Sequence, residues 1–262
     1  MLHTREEKIE ALGRVIDTLD ELRLKCPWDK VQTNQSLRPN TIEEVYELSD
    51  ALINEDNQNI KKELGDVLLH VLFYSKIGEE KEAFDIVDVA DALNNKLIFR
   101  HPHIFGDVQA DSPEKVAENW EQIKLKEKDG NKTVLSGVPT SLPPLIKAYR
   151  IQEKVAHVGF DWEQREQAWN KVKEEIGEFE AELNNASEEK ARQEFGDVLF
   201  SLVNIARLYN IHPDTALELT NKKFIERFNI IERMAKEKGR SLKDMTLAEM
   251  DELWEKAKQM SN

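Results

Sequence analysis

The residues best placed to do chemistry are two acidic clusters in the later part of the chain, Glu174-Glu175-x-x-Glu178 and Glu194-x-x-Asp197, both inside the stretch from Lys171 to Ala206. On a helix, residues three or four apart share a face, so Glu175 projects with Glu178, and Glu194 with Asp197. A pair of such helices side by side gathers four carboxylates. Like charges brought together oppose folding unless a cation sits among them. Oxygen-only ligands suit a hard cation, and Mg²⁺ is ordinarily held by a few carboxylates together with substrate phosphates. The chemistry to expect is metal-assisted work on phosphates.

An E-x-x-E spacing alone is ordinarily a solvated helix face, and 51 of the 262 residues are acidic. Repetition gives the spacing its weight. A shift of 131 residues lays Glu43 to Ser75 over Glu174 to Ala206, and 10 of the 33 aligned positions are identical. Among them are Glu43/Glu174, Glu44/Glu175, Glu47/Glu178, Glu63/Glu194, Gly65/Gly196 and Asp66/Asp197. The same pattern is written twice, which divides the chain into two similar halves.

The elements that must position these acids read as helices throughout. Apolar residues recur at helical spacing from Glu6 to Lys25, and Cys26-Pro27-Trp28-Asp29 breaks that run. The first acidic helix is expected over Pro39 to Asn54, with Thr41 capping it ahead of Glu44. A polar interruption leads into the helix carrying Glu63 and Asp66, which ends near Gly78, and a further helix covers Ile86 to Arg100 before His101-Pro102-His103. Asp111-Ser112-Pro113-Glu114 opens one bearing Trp120. The second half repeats the order: a helix over Leu145 to His157, a Gly159-Phe160-Asp161-Trp162 break, two acidic helices, one from Pro213 to Lys238, and a last one from Thr246, capped with Glu249 and holding Trp254. No strand signal stands out. The expected fold is all-α, two tandem helical-bundle domains at 1–127 and 145–262 joined by a glycine- and proline-rich linker at 128–144.

Composition narrows the function. Hydrophobic content of 40% beside 34% charged residues describes a globular chain, and a formal charge of −14 argues against general nucleic-acid or membrane binding. The single cysteine, Cys26, forms no internal disulfide, the start MLHTREEKIEALG lacks the apolar core of a signal peptide, and no run approaches a membrane span. A reducing cytoplasm is the expected compartment. Gly65 and Gly196 sit inside apolar helices at a cost of about 1 kcal/mol against alanine, with close helix packing the expected reason and a ligand passing near the backbone the other.

An anionic substrate in so acidic a chain needs local cations. The repeat keeps a basic pair one turn apart, Lys96 and Arg100 in the first half and Lys223 and Arg227 in the second, suited to a polyphosphate. The halves differ in one respect. Lys171 precedes Glu175 and Lys190 precedes Glu194 by one turn, where the first half has Asn40 and Asn59. Two additional cations favour the second half as the catalytic one.

Duplicated EExxE and ExxD motifs on helices, with Cys26-Pro27-Trp28-Asp29 and His101-Pro102-His103 in the first half and Val158-Gly159-Phe160-Asp161-Trp162 in the second, resemble the MazG family, nucleoside triphosphate pyrophosphohydrolases of the all-α NTP pyrophosphatase superfamily. The resemblance spans essentially the whole chain. It implies a homodimer, dependence on Mg²⁺ with Mn²⁺ as a substitute, and hydrolysis of a broad range of nucleoside triphosphates to monophosphate and pyrophosphate in the second half. Residue by residue, it implies Glu175, Glu178, Glu194 and Asp197 as metal ligands and Glu174 as a nucleotide contact. Lys171, Lys190, Lys223 and Arg227 become phosphate-side contacts and Trp254 a neighbour of the nucleotide. Glu174, Glu175, Lys223 and Arg227 carry the catalytic assignment.

On this reading the carboxylates hold one or more Mg²⁺ ions against the triphosphate while an activated water attacks phosphorus. The identity of the general base, and attack at the α or the β phosphorus, stay open. Three rivals share parts of the pattern. A narrower pyrophosphatase for dUTP or a phosphoribosyl nucleotide keeps the same metal cluster. A di-iron bundle needs Glu-x-x-His ligands that the second half does not have. A non-catalytic acidic scaffold predicts no Mg²⁺-dependent turnover.

Overall fold

The computed structural model describes residues 3–106, 112, 116, 123, 133–184 and 187–260, and among these there are ten α-helices and no strand. The chain divides into two compact units, Met1–Gln109 and Ala110–Asn262. Apart from Ser112, Val116 and Ile123, the helix expected to bear Trp120 lies outside the described residues.

In the first unit, α1 (Arg5–Lys25) starts at a capping box in which Thr4 Oγ1 accepts from the Glu7 N–H and Glu7 accepts from the Thr4 N–H. The acidic helices are α2 (Asn34–Ile53) and α3 (Asn57–Glu79), followed by α4 (Ile86–Arg100) and the short α5 (Pro102–Phe105). α3 packs chiefly against α2 and also touches α1 and α4, closing a core of Leu19, Leu37, Leu72, Phe73 and Ile77. Buried Arg23 ties the Cys26 break to this core. Its guanidinium donates to Glu80 in a fork and to the carbonyls of Asp29 and Gln32, and lies over the Phe73 ring at 5.5 Å.

The first acidic helix begins earlier than expected. Thr33 caps it, exchanging hydrogen bonds with Ser36, and Pro39 sits inside its second turn. A proline there removes one backbone bond, a cost of about 3 kcal/mol in a helix interior, which the cap and the burial of Leu37 offset. Thr41 is therefore not a cap. Its hydroxyl turns inward to the Leu37 carbonyl, His70 Nδ1 and the Tyr74 hydroxyl.

In the second unit α6 (Pro144–Ala156) leads through the 157–164 break into α7 (Arg165–Asn184), α8 (Glu188–Leu208), α9 (Pro213–Glu237) and α10 (Leu247–Met260). Pro144 and Pro213 each occupy the first turn of their helix, where the missing N–H costs nothing. α7 and α8 pair closely, α6 lies against α8, and α10 against α9. Val172, Ala168 and Ile205 form one small core, and Ile230, Ile231, Ala235, Leu253 and Ala257 another. Gly159 turns the chain out of α6 with φ +87°, a conformation that L side chains rarely adopt. Close helix packing does not account for Gly65 and Gly196: a Cβ at either would meet nothing within 4 Å. No helix among the described residues is long and apolar enough to cross a membrane.

The expected cap of the last helix is present and carries a pH signature. Glu249 Oε2 accepts from the Thr246 N–H at 2.8 Å and Arg240 donates to Oε1 at 2.6 Å. The Arg240 hydrogen bond, then those of Thr246, hold the Glu249 carboxyl down to about 2 from its ordinary 4.5. A folded value below the unfolded one means stabilisation that is complete above pH 4.5 and disappears as the pH falls toward about 2. Glu249→Gln should accordingly lower the melting temperature at neutral pH, with the gap from the parent chain closing across that window. A gap that stays constant down to the acid end contradicts the clasp.

Candidate active site

The acids of the second unit reach one place because α7 and α8 pair along the faces that carry them. Carboxylate oxygens of Glu175, Glu194 and Asp197 all lie within 4.8 Å of one another. Glu175 is buried, Glu194 half-buried and Asp197 exposed, so the group opens to solvent on one side. Glu178 is exposed and stands outside this triplet, though its charge is felt there. Desolvation, then the charges of Glu178, Asp197 and Glu175, push the Glu194 carboxyl above its ordinary value. An all-oxygen donor set that is short of positive charge fits a hard divalent cation.

Lys171 is the cation drawn into this group. Its ammonium lies 2.8 Å from Glu175 and 2.9 Å from Glu174, and those two hydrogen bonds raise its pKa, Glu175 first. Lys190 and Lys223 are exposed, while Arg227 and Trp254 are half-buried. Arg227 lies over the Trp254 ring at 5.9 Å, and Trp254 packs on Phe224 at 5.1 Å beside the α9–α10 core. None of these four lines the cavity that takes in Glu175 and Asp197.

That cavity, about 470 Å³, is the feature that spacing arguments did not find. Lys171, Glu175 and Asp197 border it, and so do Gln152 of α6, Phe160 and Trp162 of the break, and Ser201 and Asn204 of α8. The break is fastened to α8 by a two-pronged ion pair, Arg207 to Asp161, in which Nη1 meets Oδ2 at 2.9 Å. Asp161 is held below its ordinary value against the opposing effect of desolvation, by Arg207 and by the Trp162 N–H. Asp161 and Arg207 lie 46 residues apart, so no local period links them.

The first unit repeats the triplet with Glu44, Glu63 and Asp66. The lysine asymmetry read from sequence is one of position and not of number. Lys62 lies 2.9 Å from Glu63 and 3.9 Å from both Glu47 and Asp66, at a place where the second unit has Gln193. Adjacent helix residues do not normally face each other, so its pairing with Glu63 was not legible from spacing. Buried Glu63 Oε2 has no hydrogen-bond partner, and desolvation together with Asp66, Glu47 and Glu63 raises the Glu44 carboxyl although Lys62 opposes the shift.

The family profile of the MazG nucleotide pyrophosphohydrolase domain matches residues 32–105 and again 163–230, and each span includes one of the two helix pairs that hold the triplets. A Thermotoga maritima protein named nucleoside triphosphate pyrophosphohydrolase/pyrophosphatase MazG is 42% identical over 248 residues, covering 93% of this chain and 94% of that one. The Escherichia coli nucleoside triphosphate pyrophosphohydrolase is 38% identical over 255 residues, 96% of this chain and 97% of its own. YabN of Bacillus subtilis, an uncharacterised protein, is 49% identical over 236 residues, 89% of this chain and 48% of its own length.

Proposed function

The chain belongs to the MazG nucleotide pyrophosphohydrolase family, with two copies of the domain in tandem, and from that premise we propose that it hydrolyses nucleoside triphosphates, ribo and deoxy alike, to the monophosphate and pyrophosphate. The observation that carries this reading is the triplet Glu175, Glu194 and Asp197 with Lys171 hydrogen-bonded at its edge. The second domain, taken as 145–262 after a linker at 128–144, is the catalytic one, and 1–127 is its partner copy.

Glu175, Glu194 and Asp197, with Glu178 beside them, are the residues to hold Mg²⁺, or Mn²⁺ in its place. When bound there, the ion supplies positive charge against the triphosphate and lowers the pKa of a bound water. Glu174 and Glu175 sit where the nucleotide's phosphates would approach, and a carboxylate of the cluster takes the proton of the attacking water. A bond forms from that water to phosphorus as the α–β anhydride bond breaks, and pyrophosphate leaves. Lys171, Lys190, Lys223 and Arg227 neutralise charge on the departing phosphates, and Trp254 borders the nucleotide.

A homodimer is supported by Phe195, Leu199 and Leu202, which fall on one face of α8 by their spacing and stay 41–48% exposed. Cytoplasmic location accords with the unpaired Cys26. The test is the purified chain with Mg²⁺ and each common NTP and dNTP, monophosphate and pyrophosphate being quantified. Equimolar products from most of them, and none with chelator, are expected. Turnover confined to dUTP or to a phosphoribosyl nucleotide sinks the breadth of the proposal, and no metal-dependent turnover leaves an acidic scaffold.

A further inference from the structure

We propose that the residue standing just before Glu63 in one unit and Glu194 in the other decides whether each triplet takes a divalent cation. In the first unit Lys62 supplies positive charge from within the chain and holds the ion off, whereas Gln193 leaves the second triplet open. For the metal of the second triplet this rests on the pyrophosphohydrolase reading, and for Lys62 on geometry alone.

The two units can be compared position by position, because α2 and α7 have the same length and begin 131 residues apart, as α3 and α8 also do. In that register Glu44, Glu63 and Asp66 lie over Glu175, Glu194 and Asp197, and Lys62 lies over Gln193. Lys62 bridges both helices of its pair. Its ammonium is 2.9 Å from Glu63 and 3.9 Å from Asp66, both of α3, and 3.9 Å from Glu47 of α2. The ion pairs of Lys171 are to Glu175 and Glu174, both of α7, at the edge of its triplet. Gln193 is exposed and carries no charge to offer.

An ammonium among those acids stands where a divalent ion would. It satisfies them incompletely: Lys62 engages Oε1 of Glu63, while the buried Oε2 has no partner. A buried acceptor left unpaired is costly, so the oxygen donors of the first triplet still suit a cation, and it is the lysine charge that turns the ion away. Two unit charges about 4 Å apart interact appreciably even in water, which for a divalent ion amounts to roughly thirtyfold in binding. An exposed lysine that can swing aside delivers part of this. The surroundings differ in the same sense. Ala168, Ser201 and Asn204 border the cavity beside the second triplet, and the register puts Leu37, His70 and Phe73 in their places, all three larger and all three buried. A triplet beside packed side chains has no substrate phosphates to share an ion with, and its charge balance falls to the chain itself.

The probe is Mn²⁺, its free concentration followed by electron paramagnetic resonance with the full chain present. Asp197→Ala serves as the background, since it weakens the second triplet. In that background Lys62→Gln should create a site that binds Mn²⁺ about tenfold more tightly, further substitution of Glu63→Gln should remove it, and Lys62→Arg, which keeps the charge, should create none. Conversely, Gln193→Lys in the otherwise unchanged chain should weaken Mn²⁺ binding about tenfold. Without metal, Lys62→Gln should melt below the parent chain, and Mn²⁺ should close that gap, a response that loss of a mere packing contact does not give. No gain from Lys62→Gln overturns the proposal, as does an equal gain from Lys62→Arg or a Gln193→Lys chain that binds Mn²⁺ as the parent does. Nothing is turned over in these measurements. A parent chain that binds no Mn²⁺, beside a gain from Lys62→Gln, defeats the metal reading of the second triplet and keeps Lys62 as the cation of the first.

Discussion

Asp197→Ala should lower pyrophosphate release by a hundredfold to a thousandfold, the order seen when one charge-stabilising group is removed from a reaction centre, and Glu44→Ala should leave most of it. Asp197 is exposed, so its removal creates no cavity and loss of activity is not loss of fold. It is also one of three oxygen donors within 4.8 Å of one another, and two carboxylates hold a divalent cation less well than three. Glu175→Ala should have an equal effect by the same route, Lys171 then keeping only Glu174 as partner. Glu44 belongs to the other triplet, where Lys62 already lies among the acids. The measurement is steady-state release of pyrophosphate from ATP at saturating Mg²⁺, with circular dichroism to confirm helix content. Equal losses from Asp197→Ala and Glu44→Ala would remove the assignment of catalysis to the second half.

The helices were legible because each is marked by local chemistry. Asp85 before Ile86 caps the helix ending at Arg100, and Thr246 and Glu249 exchange hydrogen bonds as their spacing requires. Pro39 misled because proline most often opens a helix, and here Thr33 opens it six residues earlier. The acidic triplets were legible because a period of three or four is a statement about one face. The rest depended on pairings across long sequence separations. Gln152 meets Phe200 across 48 residues and Asp161 meets Arg207 across 46. Both are set by how α6 and the break lie against α8, and neither glutamine nor arginine has a spacing that announces such a role. Glu178 shows the limit of the periodic argument from the other side: it shares a face with Glu175, yet a helix face is broad enough for one carboxylate to join the triplet and the other to remain at its margin.

Lys171→Met should strengthen Mg²⁺ binding while it lowers kcat/KM, which makes it the sharper test of how the site works. In the protein as it stands Lys171 is bound to Glu175 and Glu174, and the same hydrogen bonds that raise its pKa keep it charged at any physiological pH. The ammonium thus competes with a divalent cation for Glu175, a side chain only 9% exposed. Replacing it with methionine keeps an unbranched apolar stem and removes the competitor, so less Mg²⁺ is needed for half-maximal activity. The same replacement removes a charge-assisted contact to the phosphates, and kcat/KM for ATP at saturating Mg²⁺ should fall by about a hundredfold, the low end of what one electrostatic donor contributes. A lysine that merely held α7 in place would, when replaced, weaken Mg²⁺ binding and lower kcat/KM together, or change neither. One that met only phosphate would lower kcat/KM with no change in the Mg²⁺ requirement. A Mg²⁺ titration of initial rate at fixed ATP, run on both proteins, separates the three cases, and a higher Mg²⁺ requirement in the variant would show that Lys171 assists the cation site and does not compete with it.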